Sequence, residues 1–282
     1  NSGRYYVQNS RLFPCPRVGY LRIKFYFSFM LGGLRASFRL LGFVLTMTSI
    51  SIAVPMARLL LGRQAGFNVH RKGMFVIHKI LGIRLSIIGE LPKDPALIMC
   101  NHPSYYDIFF NIGHRPAVMI VADQFKNWPL VGWLGRGLQT IWVRRHCPEA
   151  GKKIRKEIVD RIRSGLSIFV CPEGRTSGTH DIYPVKPGLF VEAMRNNVPV
   201  VFYSIRYQSK EIPYFHDLKA GFLPHLLRHL WNALKHPVIH VDMRISSPRL
   251  IEDVEKGMSD FYRFHKWHLR HQLTQPVPVP MD

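Results

Sequence analysis

An uncharged apolar stretch near the amino terminus constrains the fold more than any other feature of the sequence. Leu40–Ala57 is a run of 18 residues without a charge, bounded by Arg39 and Arg58. As a helix, such a run is about 27 Å long, slightly shorter than a hydrocarbon core of about 30 Å. Because Pro55 and Gly42 interrupt it, and Gly32 and Gly33 precede it, we expect either two helices inserted into one leaflet or one spanning helix. A buried helical hairpin of a soluble protein is the remaining alternative.

Charge is unevenly distributed along the chain. The 282 residues contain 39 Lys and Arg and 18 Asp and Glu, which gives a formal net charge of +21, and no acidic residue precedes Glu90. Cations interleaved with Phe, Leu, Ile and Met are typical of a segment that lies against an anionic bilayer. We therefore expect residues 1–65 to be a basic, apolar membrane anchor and residues 66–282 to be a folded domain.

Short apolar runs recur in the second of these regions. They are typical of strands buried on both faces and lie at 96–100, 117–121, 166–171, 198–205 and 238–246. Between them, Lys152–Arg163 has isoleucines at four-residue intervals among cations, which is the pattern of an amphipathic surface helix. This alternation predicts an α/β fold with a mixed, buried sheet flanked by helices. Open α/β folds place their sites at the carboxyl ends of strands.

The stretch NHPSYYD (101–107) follows one predicted strand and contains an imidazole and a carboxylate. Five residues along a straight helix rotate a side chain by about 500°, which would separate His102 from Asp107. Pro103 disfavours a helical His102 and suits the first turn of a helix that follows, so a turn can bring the two groups together. Asp107 would then fix the imidazole tautomer, and the other ring nitrogen would act as a base. The alternative is that Asp107 caps a helix and His102 bonds to a backbone carbonyl.

Two other segments place polar groups at predicted strand ends. VCPEGRTSGTH (170–180) is a turn in which Gly174 would allow backbone amides to approach a ligand closely. Arg175 in the same turn suits a phosphate or a carboxylate. TIWVRR (140–145) ends in two arginines. Taken alone, the first segment is also explained by a structural turn with a Glu173–Arg175 contact, and the second by a solvated strand end.

The histidines and cysteines do not indicate a metal site. The four cysteines, Cys15, Cys100, Cys147 and Cys171, have no CxxC spacing. This argues against a disulfide framework and favours a reducing compartment. No pair among His102, His114, His146 and His180 has the i,i+4 spacing of zinc ligands with a nearby carboxylate. We expect the HKWH run (265–268) to lie on a basic carboxyl-terminal helix, where it would form an interfacial face.

Nucleic acid is not expected as the main ligand, although the chain is strongly basic. The cations interleave with long apolar runs, and no nucleic-acid-binding module is recognisable. A non-catalytic basic protein that binds membrane lipid remains the alternative from another functional class. The sequence gives no indication of the oligomeric state.

Four segments, taken in order, resemble the motifs of a known enzyme family. They are NHPSYYD (101–107), WPLVGWLGRGLQTIWVRR (128–145), CPEGRTSG (171–178) and NVPVVF (197–202). The family is that of the glycerolipid acyltransferases typified by 1-acyl-glycerol-3-phosphate acyltransferase. The resemblance covers residues 70–210, and the basic, apolar amino-terminal segment also resembles the two-helix anchor of bacterial members.

This resemblance implies a reaction at the cytoplasmic face of a membrane, expected to be a bacterial cytoplasmic membrane. A fatty acyl group would pass from an acyl thioester, on coenzyme A or acyl carrier protein, to the hydroxyl of a lysolipid. His102 would be the general base and Asp107 its orienting partner, with no acyl-enzyme, no metal and no further cofactor. Backbone amides near the carboxyl ends of the strands would stabilise the oxyanion.

The same resemblance supplies the remaining site residues. Those that would hold the polar head of the acceptor are Arg145, Glu173, Gly174, Arg175 and Thr176, and Pro199 would help to shape the acyl or thioester pocket. The third motif is commonly Glu-Gly-Thr-Arg-Ser, whereas here the Arg and Thr are exchanged. The family often has Lys-x-Glu-Leu before the proline of the second motif, where this chain offers only Lys126. The expected acceptor is 1-acyl-glycerol-3-phosphate, and another lysolipid such as lyso-ornithine lipid is the alternative.

Overall fold

The structure, a computed structural model, describes residues 16–111, 117–144, 148–178, 181–213 and 222–271. Within the first helix, side chains are described from Met30 onward. The helices are α1 (Pro16–Leu61), α2 (Arg63–Leu81), α3 (Val131–Gly137), α4 (Pro148–Arg163), α5 (Gly188–Arg195), α6 (Phe222–Lys235) and α7 (Val254–Arg270). Two 3₁₀ helices cover Tyr105–Phe110 and Asp123–Phe125. The strands are β1 (Ile83–Ile88), β2 (Leu97–Cys100), β3 (Ala117–Ala122), β4 (Ile141–Val143), β5 (Ser167–Val170), β6 (Val200–Tyr207) and β7 (Ile239–Ile245).

The strands form one mixed sheet in the order β1-β7-β6-β2-β5-β3-β4. All neighbouring pairs are parallel except β6 and β7, which are antiparallel. Every residue of β2 and β5 is buried, as expected for central strands that are covered by helices on both faces. The predicted mixed α/β fold is confirmed. Because β2 to β6 run in the same direction, the segments that follow them emerge at one edge of the sheet.

Strand β1 is the one strand that we did not predict from the sequence. Its sequence, IRLSII, contains Arg84 and Ser86, so it is neither a continuous apolar run nor a clean alternation. It lies at the edge of the sheet, where it pairs only with β7. An edge strand needs less apolar surface than a central one, which explains why the sequence pattern was weak.

Helix α1 is a single continuous helix of 46 residues, even though Pro55 lies inside it. Its part Met30–Leu61 is long and apolar enough to cross a membrane. Only 17 % of its apolar 18-residue stretch is buried against the rest of the protein. Exposed apolar residues follow one another mostly at three- or four-residue spacing: Met30, Leu34, Phe38, Leu41, Leu45, Ile52, Met56 and Leu59. This spacing places them on one face of the helix, which the protein itself leaves uncovered. In the described part of the chain there is therefore one such helix, not two.

Three arginines of α1 bind the folded domain rather than projecting freely. Arg35 donates to Lys235 O at 2.8 Å, and Arg39 donates to backbone carbonyls at the end of α6, including Pro237 O at 2.8 Å. Arg58 donates to Arg136 O at 3.3 Å, near the end of α3. Helix carboxyl termini have unpaired carbonyls and a partial negative charge, so they favour cations. These three cations are therefore tied to the folded domain, and contact of the basic segment with an anionic bilayer stays a prediction.

Helices α1 and α2 pack closely as an antiparallel pair. A Cβ added to Gly73 would lie 2.4 Å from Ile50 Cγ2, so only glycine allows this approach. Helix α2 ends at Gly82, whose φ of 70° is left-handed and whose amide bonds to carbonyls of the last turn. Since α2 runs across residue 65, the division into residues 1–65 and 66–282 remains a prediction rather than a visible boundary.

Candidate active site

The carboxyl end of β2 positions His102 and Asp107 in direct contact. The chain leaves β2 at Cys100, and a 3₁₀ helix begins at Tyr105 with Ser104 as its amino-terminal cap. His102 Nδ1 lies 2.8 Å from Asp107 Oδ2, and the same oxygen accepts from Ser104 N at 2.9 Å. Asp107 therefore both caps the helix and holds the imidazole, so the predicted pair and the helix cap of the alternative occur together, whereas the His102 ring bonds to the carboxylate and not to a backbone carbonyl. The side chain of Asp107 is 1 % exposed and that of His102 is 17 % exposed.

Tyr207 completes the hydrogen bonding of Asp107. It is the last residue of β6, it is fully buried, and its hydroxyl donates to Asp107 Oδ1 at 2.6 Å. A buried carboxylate needs several donors to stay ionised, and this bond supplies the oxygen that does not face the imidazole. We did not identify Tyr207 from the sequence. The available signal was a tyrosine at the end of a strand that neighbours β2.

The turn after β5 holds the backbone of His102 on both sides. Glu173 Oε1 accepts from His102 N at 2.7 Å, and Ser177 N donates to His102 O at 2.7 Å. The second carboxylate oxygen of Glu173 accepts from Tyr183 N at 2.8 Å. Both oxygens of Glu173 are thus engaged by backbone amides. The geometry gives Glu173 the part of a positioning residue for His102, which differs from the predicted contact with the head group of an acceptor.

Asn101 joins β2 to β6 just before His102. Its Nδ2 donates to Ile205 O at 2.9 Å, and its Oδ1 accepts from Ile205 N at 2.7 Å. This two-bond contact continues the sheet ladder by one residue and fixes the direction in which the chain turns toward His102. Asn101 is the third positioning residue, with Tyr207 and Ser177, that the sequence did not reveal.

The electrostatics of the pair are set by burial and by hydrogen bonds. Burial raises the pKa of Asp107, and the hydrogen bonds from His102 and Tyr207 oppose this rise by stabilising the ionised form. Burial lowers the pKa of His102, but the negative charges of Cys171 and Asp107 outweigh it and raise the pKa of His102 well above its ordinary value. Burial likewise raises the pKa of Glu173 to about 7. The arrangement therefore stabilises an imidazolium strongly once a proton reaches His102.

The turn residues predicted to bind the acceptor point in different directions. Arg175 is exposed and its Cζ lies 4.0 Å from the centre of the Tyr183 ring, a cation–π contact. Thr176 is 3 % exposed and therefore lies inside the turn, which disagrees with its predicted role as an acceptor ligand. Gly174 has a φ of 68° with nothing within 4 Å of an added Cβ. Glycine is needed there for the left-handed backbone rather than for a close approach.

The other predicted residues lie at opposite ends of the strands. Lys126 is exposed and follows the 3₁₀ helix after β3, at the same edge as His102. Arg145 lies outside the described residues, whereas its neighbour Arg144 is exposed and lies 3.5 Å from Asp123. Pro199 precedes β6, and its carbonyl accepts from Leu97 N at 2.9 Å. This places Pro199 at the opposite edge, about 16 Å of strand from His102, so its role in an acyl pocket remains a prediction that this geometry does not support.

The HKWH run does not form the expected interfacial face. It lies on α7, as predicted, but His265 and His268 are completely buried. The two ring nitrogens of His265 lie 2.7 Å from Phe261 O and 3.0 Å from Tyr203 O. His265 and His268 are three residues apart and therefore share one face of the helix, which is turned inward, whereas Lys266 and Trp267 between them are exposed.

Comparisons with known proteins agree with the geometry. Residues 82–206 match the sequence profile of the acyltransferase family. The chain is 26 % identical over 170 residues to a lyso-ornithine lipid O-acyltransferase of Pseudomonas aeruginosa, covering 60 % of this chain and 64 % of that protein. It is 28 % identical over 132 residues to a 1-acyl-sn-glycerol-3-phosphate acyltransferase of Neisseria gonorrhoeae, covering 46 % and 52 %. These matches span between half and two thirds of each relative.

A solved structure has the same fold. The 1-acyl-sn-glycerophosphate acyltransferase of Thermotoga maritima superposes with a TM-score of 0.63 at 18 % identity, covering 87 % of this chain and 98 % of that one. The likeness extends beyond the sheet to most of the described helices. Residues 82–206 thus match the acyltransferase family in sequence, and the chain resembles glycerolipid acyltransferases in sequence and in fold.

Proposed function

We propose that the protein is an O-acyltransferase that moves a fatty acyl group from an acyl thioester to the hydroxyl of a lysolipid. The observation that carries this proposal is the 2.8 Å contact between His102 Nδ1 and Asp107 Oδ2 at the carboxyl edge of the sheet. With Nδ1 bonded to the carboxylate, the second nitrogen, Nε2, is the one that can remove a proton from an acceptor. The fold and the acyltransferase profile support the same chemistry.

The reaction is a direct transfer. His102 Nε2 takes the proton of the acceptor hydroxyl while its oxygen attacks the carbonyl carbon of the thioester. The tetrahedral intermediate collapses with cleavage of the carbon–sulfur bond, and the imidazolium returns its proton to the departing thiolate of coenzyme A or acyl carrier protein. Asp107 stabilises the imidazolium, and Tyr207 and Ser104 N keep Asp107 ionised. Because Glu173 and Ser177 fix the backbone of His102, the base is oriented before substrate arrives.

An anionic acceptor suits the charges at this edge of the sheet. Lys126, Arg144 and Arg175 are all exposed there and supply cations for a phosphate head group. We therefore propose 1-acyl-glycerol-3-phosphate as the acceptor, with phosphatidic acid as the product. Lyso-ornithine lipid is the second candidate, because the exchange of Arg175 and Thr176 turns the cation of the third motif outward onto Tyr183.

The uncovered face of α1 suits attachment to the membrane that holds these lipids. Its exposed apolar residues form a continuous stripe, and burying them in lipid removes them from water. We propose that α1 anchors the enzyme with the active edge on the cytoplasmic side, where acyl thioesters are made.

A lysolipid panel tests the function directly. Purified protein in vesicles receives a radiolabelled acyl thioester and lysophosphatidic acid, lyso-ornithine lipid or lysophosphatidylcholine, and labelled product is measured. We expect transfer to lysophosphatidic acid, and loss of at least ~100-fold in His102→Ala. His240→Ala, at an exposed histidine on β7, is the matched control. Full activity in His102→Ala would eliminate the proposed base, and no transfer to any lysolipid would eliminate the function.

A further inference from the structure

Two cysteines that the proposed reaction does not use lie beside Asn101, the residue before His102. Cys100 Sγ is 3.9 Å from Asn101 Oδ1, and Cys171 Sγ is 4.0 Å from Asn101 O. Strands β2 and β5 pair in parallel, and their last register pair is Met99 with Val170. Cys100 and Cys171 follow this pair, and a continued register puts their side chains on the same face of the sheet. Neighbouring strands lie about 4.8 Å apart, which is within the range of about 4.4–6.8 Å that a disulfide requires between Cα atoms.

The two thiols differ in the way that an attacking and a resolving cysteine differ. Cys100 is completely buried, and burial raises its pKa well above the ordinary value. Cys171 is half-buried, and the neighbouring Cys100 thiol together with the positive charge of His102 lowers its pKa to about 6. A thiolate is the nucleophile in thiol–disulfide exchange, so Cys171 attacks first and Cys100 follows.

Cys171 lies close to the residues that orient the proposed base. Its Sγ is 4.0 Å from Asn101 O, next to His102, and Cys171 is two residues from Glu173, which holds the backbone of His102. The charges of Cys171 and His102 also shift each other's pKa. A change at the sulfur of Cys171 therefore reaches the base through its charge and through this turn.

We propose that Cys100 and Cys171 are an oxidisable dithiol, a modification site for low-molecular-weight disulfides, and that its oxidised form is inactive. The thiolate of Cys171 attacks one sulfur of glutathione disulfide, forms a mixed disulfide and releases one glutathione. Cys100 gives up its proton and attacks the Cys171 sulfur, which forms the Cys100–Cys171 bond and releases a second glutathione. The two thiols lose two electrons in total, and glutathione disulfide is reduced to two glutathione molecules.

Loss of activity follows from the position of the new bond. The disulfide draws the Cys171 sulfur toward β2, removes its negative charge from the surroundings of His102, and displaces the start of the turn that carries Glu173. Inactivation rests on the proposed function of His102, whereas formation of the disulfide does not. The two parts are therefore measured separately.

The experiment uses the full chain in vesicles, with Cys15→Ser and Cys147→Ser as the background so that only the pair reacts. The protein is incubated with glutathione disulfide, free thiols are blocked, and tryptic peptides are identified by mass spectrometry. We expect a Cys100–Cys171 linked peptide, at least a tenfold loss of acyl transfer, and recovery with dithiothreitol. In Cys100→Ser, Cys171 should instead retain one glutathione.

Each variant is compared with its own untreated rate. Cys171→Ser and Cys171→Ala should lose no activity in glutathione disulfide, because neither can start the exchange. Absence of the linked peptide would overturn the proposal, and so would equal sensitivity of the Cys171 variants. A linked peptide in a protein that transfers no acyl group even when reduced would refute the proposed function and leave the dithiol site standing.

Discussion

The substitution Tyr207→Phe tests what the hydrogen bond from Tyr207 to Asp107 Oδ1 contributes to stability and to acyl transfer. It removes one hydroxyl from a fully buried side chain and keeps the aromatic ring, which packs with Phe110 at a centroid distance of 6.1 Å. Asp107 Oδ1 then loses its donor at 2.6 Å, while Oδ2 keeps the bonds to His102 Nδ1 and Ser104 N. The geometry of the His102–Asp107 pair should therefore survive, and its electrostatics should change.

The size of the effect follows from the charge of Asp107, the carboxylate that accepts the hydrogen bond from Tyr207. A hydrogen bond to a charged group contributes about 1.5–3 kcal/mol, so the free energy of unfolding should fall by that amount. The ionised carboxylate of Asp107 is destabilised, which raises the pKa of Asp107 and makes it hold the imidazolium of His102 more tightly. Both changes favour protonated states of the pair. The acid limb of kcat/KM against pH should therefore move to higher pH, and it already lies above the ordinary range because the pKa of His102 is raised.

The assay is a pH profile of acyl transfer at subsaturating lysolipid, with thermal melting of the same samples. Tyr106→Phe is the matched control, since Tyr106 is also fully buried and lies in the 3₁₀ helix that carries Asp107. We expect the control to keep the wild-type profile. An unchanged profile in Tyr207→Phe, with an intact fold, would refute the reasoning that Tyr207 acts through the charge of Asp107.

The remaining predictions concern the turn, the helix pair and the response to acid. Glu173→Gln replaces one acceptor oxygen by an amide, so one backbone amide loses its partner; we expect a cost of about 1–3 kcal/mol in a denaturant titration and slower transfer. Gly73→Val should lower the melting temperature because its Cβ would meet Ile50, whereas Gly33→Ala, with nothing within 4 Å, should not. Burial lowers the pKa of His265 from 6.5 to about 4, so the unfolded chain binds a proton there that the folded chain does not. Its contribution to stability is lost as pH falls through this window, by about 1.4 kcal/mol per pH unit, and melting temperatures on both sides of the window check this.

The contact between His102 and Asp107 was predictable because its determinants are local. Pro103 and the short run to Asp107 specify a turn and a capped helix, and the cap itself brings the carboxylate to the imidazole. Tyr207 was not predictable in the same way. Its position depends on the register in which Cys100 pairs with Tyr203, which places Tyr207 four residues beyond the end of β2. Strand register is set by the packing of the whole sheet, and no short motif encodes it.

Local sequence patterns also did not predict the course of the amino-terminal segment. Pro55 and the glycines suggested an interruption, but α1 continues through them because tertiary contacts hold it. Val54 and Ile50 are buried, and an added Cβ on Gly137 of α3 would lie 2.9 Å from Pro55 Cγ. Packing of this kind outweighs the helix propensity of a single residue. Likewise, the basic composition was visible in the sequence, but the docking of Arg39 onto the end of α6 required the folded arrangement.

The exchange of Arg and Thr in the third motif is part of how this chain builds its site. The left-handed Gly174 turns the chain so that position 175 faces outward, where the guanidinium stacks on Tyr183, and position 176 faces inward, where Thr176 is 3 % exposed. An arginine at position 176 would place a charge inside the turn that also holds His102 through Ser177, at a cost of several kcal/mol if unpaired. In this fold the inner position needs a small side chain so that the turn can close on His102. Arg175 is therefore the position from which this turn can offer a cation to an acceptor, and Tyr183 sets its direction.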